Sequence, residues 1–392
     1  MNRMWSENRY VDLTVNVLLF LTGVNFMHYG QLILPVICFI LFLDRRCRFH
    51  VHDPKIFILL CLFAVSFYGF SYALGFYSVM GFCCPMAYYI GSNLLNHKED
   101  TIRKAIYLLA AAMACHILLN VGYEIVFRGI DRFLNSSSHY DFWTREKVST
   151  TATAVNLDLL IGCLYHLLLH EKNPAARFFC YFFFVLDILY CVILGRRTQI
   201  LLLLICFVCL FFFELLFTGE LSGRVKRNLL RIVLGLSVFI AAVVLCYAFD
   251  LLGLNHLFNN IYIIDKFRQG IIDHDRLSLF INGIKLMPQH LWGGQEISGI
   301  LGVQIHDLWM DIYDYAGIVS YVLFLIYSLH CLRIMVRTVR DKSLQYRTLY
   351  LGVFICVTLQ MFLEPVMSGS SLFLMIVILV FGMLEGIVNH EG

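Results

Sequence analysis

Charge is scarce in this chain: Asp, Glu, Lys and Arg make up only 15% of the 392 residues, against 60% hydrophobic ones. A water-soluble domain carries far more charge than that on its surface, so the composition excludes a soluble enzyme and a nucleic-acid-binding module. The short period-two alternation of outer-membrane strands is also missing, which argues against a barrel. No small-residue cleavage site follows the first apolar stretch, so that stretch is expected to be a span rather than a secretory signal. There is no internal repeat, coiled coil, low-complexity tract or separate soluble domain. The two long polar segments, 128–149 and 254–308, contain none of the 14 cysteines, and no Cys/His spacing suits a metal. Neither a disulfide framework nor a metal or other cofactor is expected, and the cysteines read as small packing residues in helices.

What the chain has instead is one apolar stretch after another. A hydrocarbon core about 30 Å thick needs roughly 20 mostly apolar residues per helix. Windows of that kind fall near 11–28, 31–43, 56–77, 79–95, 105–126, 150–169, 178–194, 199–217, 229–252, 309–330, 348–365 and 370–388. The pattern predicts an all-α, polytopic membrane bundle of about twelve spans, ten at the fewest, forming a single domain over 1–392 with one large loop at 254–308. Gly, Met and other small residues in the fourth and twelfth windows suit close helix packing.

With the N-terminus in the cytoplasm, 20 of the 30 Lys and Arg residues fall on the inner side, as the positive-inside rule requires. The other ten gather in three outer places: 128–147, the pair Arg196 and Arg197, and 266–285. Either longer loops simply collect charge, or these are places that meet an anionic ligand.

The longest outer segment holds the sequence "DHDRLSLFINGIKLMPQHLWGG". Asp275 reads as an N-cap, Leu277, Phe280, Ile281, Ile284 and Met287 follow at helical spacing, and Pro288 with Gly293 and Gly294 ends the run. The spacing predicts a short amphipathic helix around 276–287, folded back on the membrane. Asp273 and Asp275 look like a metal-binding pair, but turn and capping chemistry explains them without a metal.

Further on, His306-Asp307 is followed by nine residues, Gly317, two residues and Ser320. This pattern resembles the signature of the O-antigen polymerase and ligase superfamily, Wzy and WaaL. There, in the last large periplasmic loop, His is followed by Asn, Ser or Gln, nine residues, Gly, two residues, and Gly, Thr or Tyr. Asp307 and Ser320 depart from it at the two variable positions. "LGRRTQILLLL" resembles the same family's Ser-Arg-Thr turn, with Arg197-Thr198 at the motif position, and Arg276 takes the place of the arginine that opens the amphipathic run.

The resemblance covers roughly 190–330 and implies a GT-C-like membrane glycosyltransferase without a metal. Its substrate would be a glycan on undecaprenyl diphosphate, in the outer leaflet of the bacterial cytoplasmic membrane. Partners implied are that lipid-linked glycan, membrane lipid, a chain-length regulator and a flippase, with no nucleic acid. Guanidinium groups bind diphosphate bidentately, so Arg197 and Arg276, with Arg196 as a weaker second, are the expected diphosphate ligands. Attack by a sugar hydroxyl needs a base, and His306 is the candidate. Asp307, Asp311 or Asp314 would orient the base or bind sugar hydroxyls, Trp309 or Tyr313 would stack on a sugar, and Gly317 would let a neighbouring helix pack closely.

Polymerisation of repeat units is the first reading and ligation to a lipid A core the second. The rival from another class is a transporter or flippase, which the intramembrane acids Asp158 and Asp187 favour. In the bland reading, Arg196 and Arg197 anchor a helix end at the interface and His306 hydrogen-bonds there.

Overall fold

The computed structural model describes residues 9–44, 51, 53–71, 81–93, 99–130, 133, 138–194, 196–218, 223, 227, 274–305, 307–364 and 371–388. Helices run over Arg9–Gly23 (α1), Ile33–Asp44 (α2), Pro54–Phe70 (α3), Cys83–Asn93 (α4) and Glu99–Arg128 (α5). Strands Ser138–Tyr140 (β1) and Lys147–Ser149 (β2) follow, then Thr150–Ala154 (α6), Asp158–Leu169 (α7), Pro174–Ile193 (α8) and Arg197–Thr218 (α9). The remainder is His274–Leu286 (α10), Glu296–Leu301 (α11), Leu308–Arg340 (α12), Arg347–Leu363 (α13) and Ser371–Val388 (α14). Among the described residues the protein is thus all-helical apart from one hairpin. There, six helical runs are long and apolar enough to cross a membrane, and four more are apolar but shorter.

Each window read from the sequence overlaps a helix among the described residues except 229–252, which lies outside them. Local chemistry sets several boundaries. Asp53 caps α3 by accepting from the Lys55 N–H at 2.9 Å, with Pro54 as the first helical residue, and Asn173 with Pro174 repeats the device at α8. The small residues of the fourth and last windows face each other, since a Cβ on Gly382 would sit 2.8 Å from the Tyr88 carbonyl oxygen. That contact locks α4 against α14, and almost every residue of both helices is buried.

α12 is not the single span expected over 309–330. At Gly317 the backbone takes φ 73° and ψ −174°, which ends one limb at 316 and starts another at 318. The first limb folds back along the second, so that the Trp309 indole N–H donates to Ser328 Oγ at 3.1 Å and Tyr313 meets Tyr321. In a straight helix those nineteen positions would lie about 28 Å apart. The backbone groups freed by the break are paired by the segment after α10: Gly294 N–H to Tyr315 O (3.0 Å), Gln295 N–H to Asp314 O (2.8 Å) and Ile318 N–H to Leu291 O (2.9 Å). Phe70 at the end of α3 stacks on Trp292, and Ser66 bonds to Ser320, so this clasp sits at one end of the α3–α12 pair.

At a second place the hairpin, with Ser138 opposite Ser149, is pinned through Asp141. The Asp141 carboxylate accepts from His116 Nε2 at 3.0 Å and from the backbone of Trp143 and Thr144, and His28 Nδ1 stands 3.9 Å away. His116 in turn meets Asn156, and His28 meets Asn25. Burial works to raise the Asp141 carboxyl, but the bonds from His116 and Thr144 and the nearby His28 imidazole outweigh it and hold the group far below the usual carboxylate range. The nearby Asp141 carboxylate raises the His28 imidazole, against burial and helped by Glu146.

The signs follow directly. The depressed Asp141 stabilises the attached hairpin above about pH 4 and loses that effect below it. The raised His28 stabilises it below about pH 6.5 and loses that effect as pH climbs through its folded value. Hairpin amides are therefore expected to be best protected, after correction for intrinsic exchange, between about pH 4 and 6.5. His28→Ala should flatten the alkaline limb and soften the acid one, since Asp141 loses a favourable neighbour, and an unchanged profile would refute the attachment.

Candidate functional site

The Arg-Arg-Thr turn opens α9. Arg196 does not point to a ligand: its guanidinium is engaged by the Thr151 hydroxyl at 2.5 Å and by the Thr150 hydroxyl. It ties the start of α9 to α6. Arg197 is the first residue of α9 and half-buried. Its neighbour Thr198 donates from Oγ1 to Glu364 Oε1 at 3.4 Å, and Gln199 lies with Asp158 in the buried interior just beneath.

Glu364 terminates α13, and two residues before it Phe362 packs on the Trp309 ring at a centroid distance of 4.4 Å. The end of α13 is therefore where two motif segments meet, the arginine turn of α9 on one side and the first limb of α12 on the other. Sequence reasoning missed Glu364. Its only signal there was a lone acid at the end of an apolar window.

On the first limb, Asp307 caps the helix by accepting from the Met310 N–H at 2.9 Å. It is 4% exposed, and one turn on Asp311 is 3% exposed. Asp314 is a structural acceptor: it takes the Ile297 N–H at 2.9 Å and the Ser298 hydroxyl, capping α11 from across the fold-back. Tyr313 donates to the Met287 carbonyl at 2.6 Å, which fixes the end of α10. Asp314 and the Tyr313 hydroxyl, both expected near a sugar, are thus engaged within the fold. Gly317 does serve close packing, as expected, but against Leu291 and Trp292 of the clasp rather than a neighbouring helix.

α10 stands where an amphipathic helix was expected. It begins at His274, which places Asp275 inside the first turn rather than at the cap, with Arg276 beside it. Phe280, one turn further on, lines a cavity of about 500 Å3 shared with Asp307, Trp309, Ser328, Phe362 and Phe381. The cavity is mostly apolar along the two limbs of α12, α13 and α14, with Asp307, Ser328, Thr358 and the tyrosines Tyr321 and Tyr327 as its polar-bearing lining. His306, Gly195 and Asp273 lie outside the described residues.

Chemically the arrangement joins a long apolar slot to a polar end that carries acids and adjoins an arginine turn. Among the described residues no cluster of His, Cys, Asp and Glu could hold a metal ion.

A buried carboxylate that accepts from the backbone N–H groups of Met310 and Trp309 is held at a desolvation cost, whereas Asn caps a helix as well as Asp does. Asp307→Asn should therefore keep the cap and stabilise the protein at neutral pH by about 1 kcal/mol, of the order of a net hydrogen bond. Thermal melts of the detergent-solubilised variant check this, and a lower melting temperature would show that the charge itself holds the limb. No family model and no curated protein matches the chain.

Proposed function

We propose that the protein is a multi-pass enzyme of the bacterial cytoplasmic membrane, with about twelve spans and a cytoplasmic N-terminus. It polymerises undecaprenyl-diphosphate-linked oligosaccharide repeats into a surface polysaccharide on the outer side of that membrane. The observation that carries this reading is the apolar slot of about 500 Å3 that ends at Asp307 and Trp309, residues that follow the motif histidine in the sequence. An amphiphile with a prenyl tail and a charged, sugar-bearing head has the shape of that slot and its polar end.

The arginine turn supports it further. Through Thr198 and Glu364 it is anchored at the helix end that packs on Trp309, so Arg197 is carried close to the head-group end. Arg276 opens the helix whose Phe280 lines the same slot. In the mechanism the acceptor hydroxyl gives its proton to His306 as its oxygen forms a bond to the anomeric carbon. The bond from that carbon to the diphosphate breaks, and the anomeric centre inverts. The arginines neutralise the charge that develops on the leaving diphosphate.

Transfer to a lipid A core differs from polymerisation only in the acceptor. The transporter reading draws on a specific observation, the fold-back at Gly317, because broken helices line many transport sites. In the other half of the chain the break at Met27 falls after the end of α1 rather than inside a long helix, so the transporter reading stands second. Purified protein in liposomes with a lipid-linked repeat separates them. An enzyme makes a new glycosidic bond with no second compartment present, and a transporter does not.

A further inference from the structure

We infer that the slot reads only the first three or four isoprene units of its lipid, counted from the diphosphate, and leaves the rest of the chain in the bilayer. The inference rests on the proposed function and deepens it by naming the part of the lipid that is recognised.

Depth is the first argument. Along α13 the lining runs from Phe362 back to Phe354, eight residues or about 12 Å, and along the second limb of α12 from Tyr321 to Leu332, eleven residues or about 16 Å, at 1.5 Å per residue. A prenyl unit adds four chain bonds, about 5 Å when extended, so the slot holds about three units of the eleven. At that inner end Phe354 and Phe381 meet edge to face at 5.8 Å.

The slot is also open along one side. Leu325 and Leu329 on the second limb line it and are 37% and 59% exposed, so the chain leaves sideways rather than ending in a closed pocket. Beyond that edge a prenyl unit exchanges lipid for an equally apolar surface and gains almost nothing. Inside the slot each unit touches rings on several sides, and dispersion contacts accumulate.

The test uses one repeat-unit glycan diphosphate carried on geranyl, geranylgeranyl or undecaprenyl chains, which have two, four and eleven units. KM is measured with the parent protein in detergent. The geranylgeranyl donor should fall within about threefold of the undecaprenyl donor, and the geranyl donor should be raised about tenfold or more by its lost contacts.

Thr358→Phe, which fills the middle of the slot, should raise KM for the two longer donors and so shrink their advantage over the geranyl donor to less than about threefold. A geranylgeranyl donor more than tenfold worse than undecaprenyl, or a geranyl donor as good as either, would overturn the inference while leaving the glycosyltransferase reading intact. Turnover of none of the three donors by the parent would overturn that reading, and the inference with it.

Discussion

Gly317→Ala is expected to lower the stability of the protein by about 3 kcal/mol or more, and to free the segment 291–295. Two effects add. Residue 317 sits at φ 73° and ψ −174°, a combination essentially reserved for glycine, so a side chain there is strained wherever it points. A Cβ would also lie 2.5 Å from the Leu291 carbonyl oxygen and 2.8 Å from the Trp292 carbonyl carbon, backbone atoms that cannot rotate away.

Relief requires the clasp to lift, which gives up the three backbone bonds it makes to Asp314, Tyr315 and Ile318, each about 1 kcal/mol net. Gly299→Ala is the control, since its Cβ meets nothing within 4 Å and its φ is not positive. Thermal melts and limited proteolysis in detergent should show the Gly317 variant melting several degrees lower and nicked near 291–305, with the Gly299 variant like the parent. Equal melting of all three would mean that the fold-back is not the conformation in the membrane.

The second large effect is on activity. Arg197→Ala should reduce polymer at least about a hundredfold with the protein still present in the membrane, as loss of a desolvated charge contact to a leaving group does. Arg197→Lys should recover part of it, since a point charge cannot reproduce the two-pronged guanidinium contact. Arg196 should behave differently. It holds Thr150 and Thr151, so Arg196→Ala is expected to reduce protein level and melting temperature together with polymer. Polymer from the Arg197→Ala variant at the parental level would remove Arg197 from the site.

The helical architecture was legible because membrane helices announce themselves locally, by a run of apolar residues long enough to span hydrocarbon. The amphipathic helix was legible for the same kind of reason: Phe280, Ile281, Ile284 and Met287 recur at helical spacing before Pro288, and α10 is there. The fold-back was not. Apolar residues run on both sides of Gly317, and nothing local distinguishes a glycine that breaks a helix from one that packs inside it. What decides is the set of carbonyl and amide partners that Leu291, Gly294 and Gln295 bring from elsewhere in the chain.

The aspartates of the stretch after His306 show the same limit. Their presence beside an apolar run marks the segment, but capping by Asp307 and by Asp314 depends on which N–H groups the fold presents. Glu364 went unseen because its partner Thr198 is 166 residues away. The two arginines of "LGRRTQ" could not be told apart until α6 supplied hydroxyls to one of them.

The central claim is that this membrane bundle joins sugars from a prenyl-diphosphate donor, with His306 as the base. The most direct measurement is turnover of a lipid-linked repeat unit by the purified parent and by His306→Ala, in the presence of a chelator. Release of prenyl diphosphate is followed alongside formation of the longer glycan. The account predicts that the parent makes polymer and releases one prenyl diphosphate per bond formed whether or not the chelator is present, and that the variant does neither. Normal polymer from His306→Ala, or a parent that moves the donor across the bilayer without forming a bond, would contradict it.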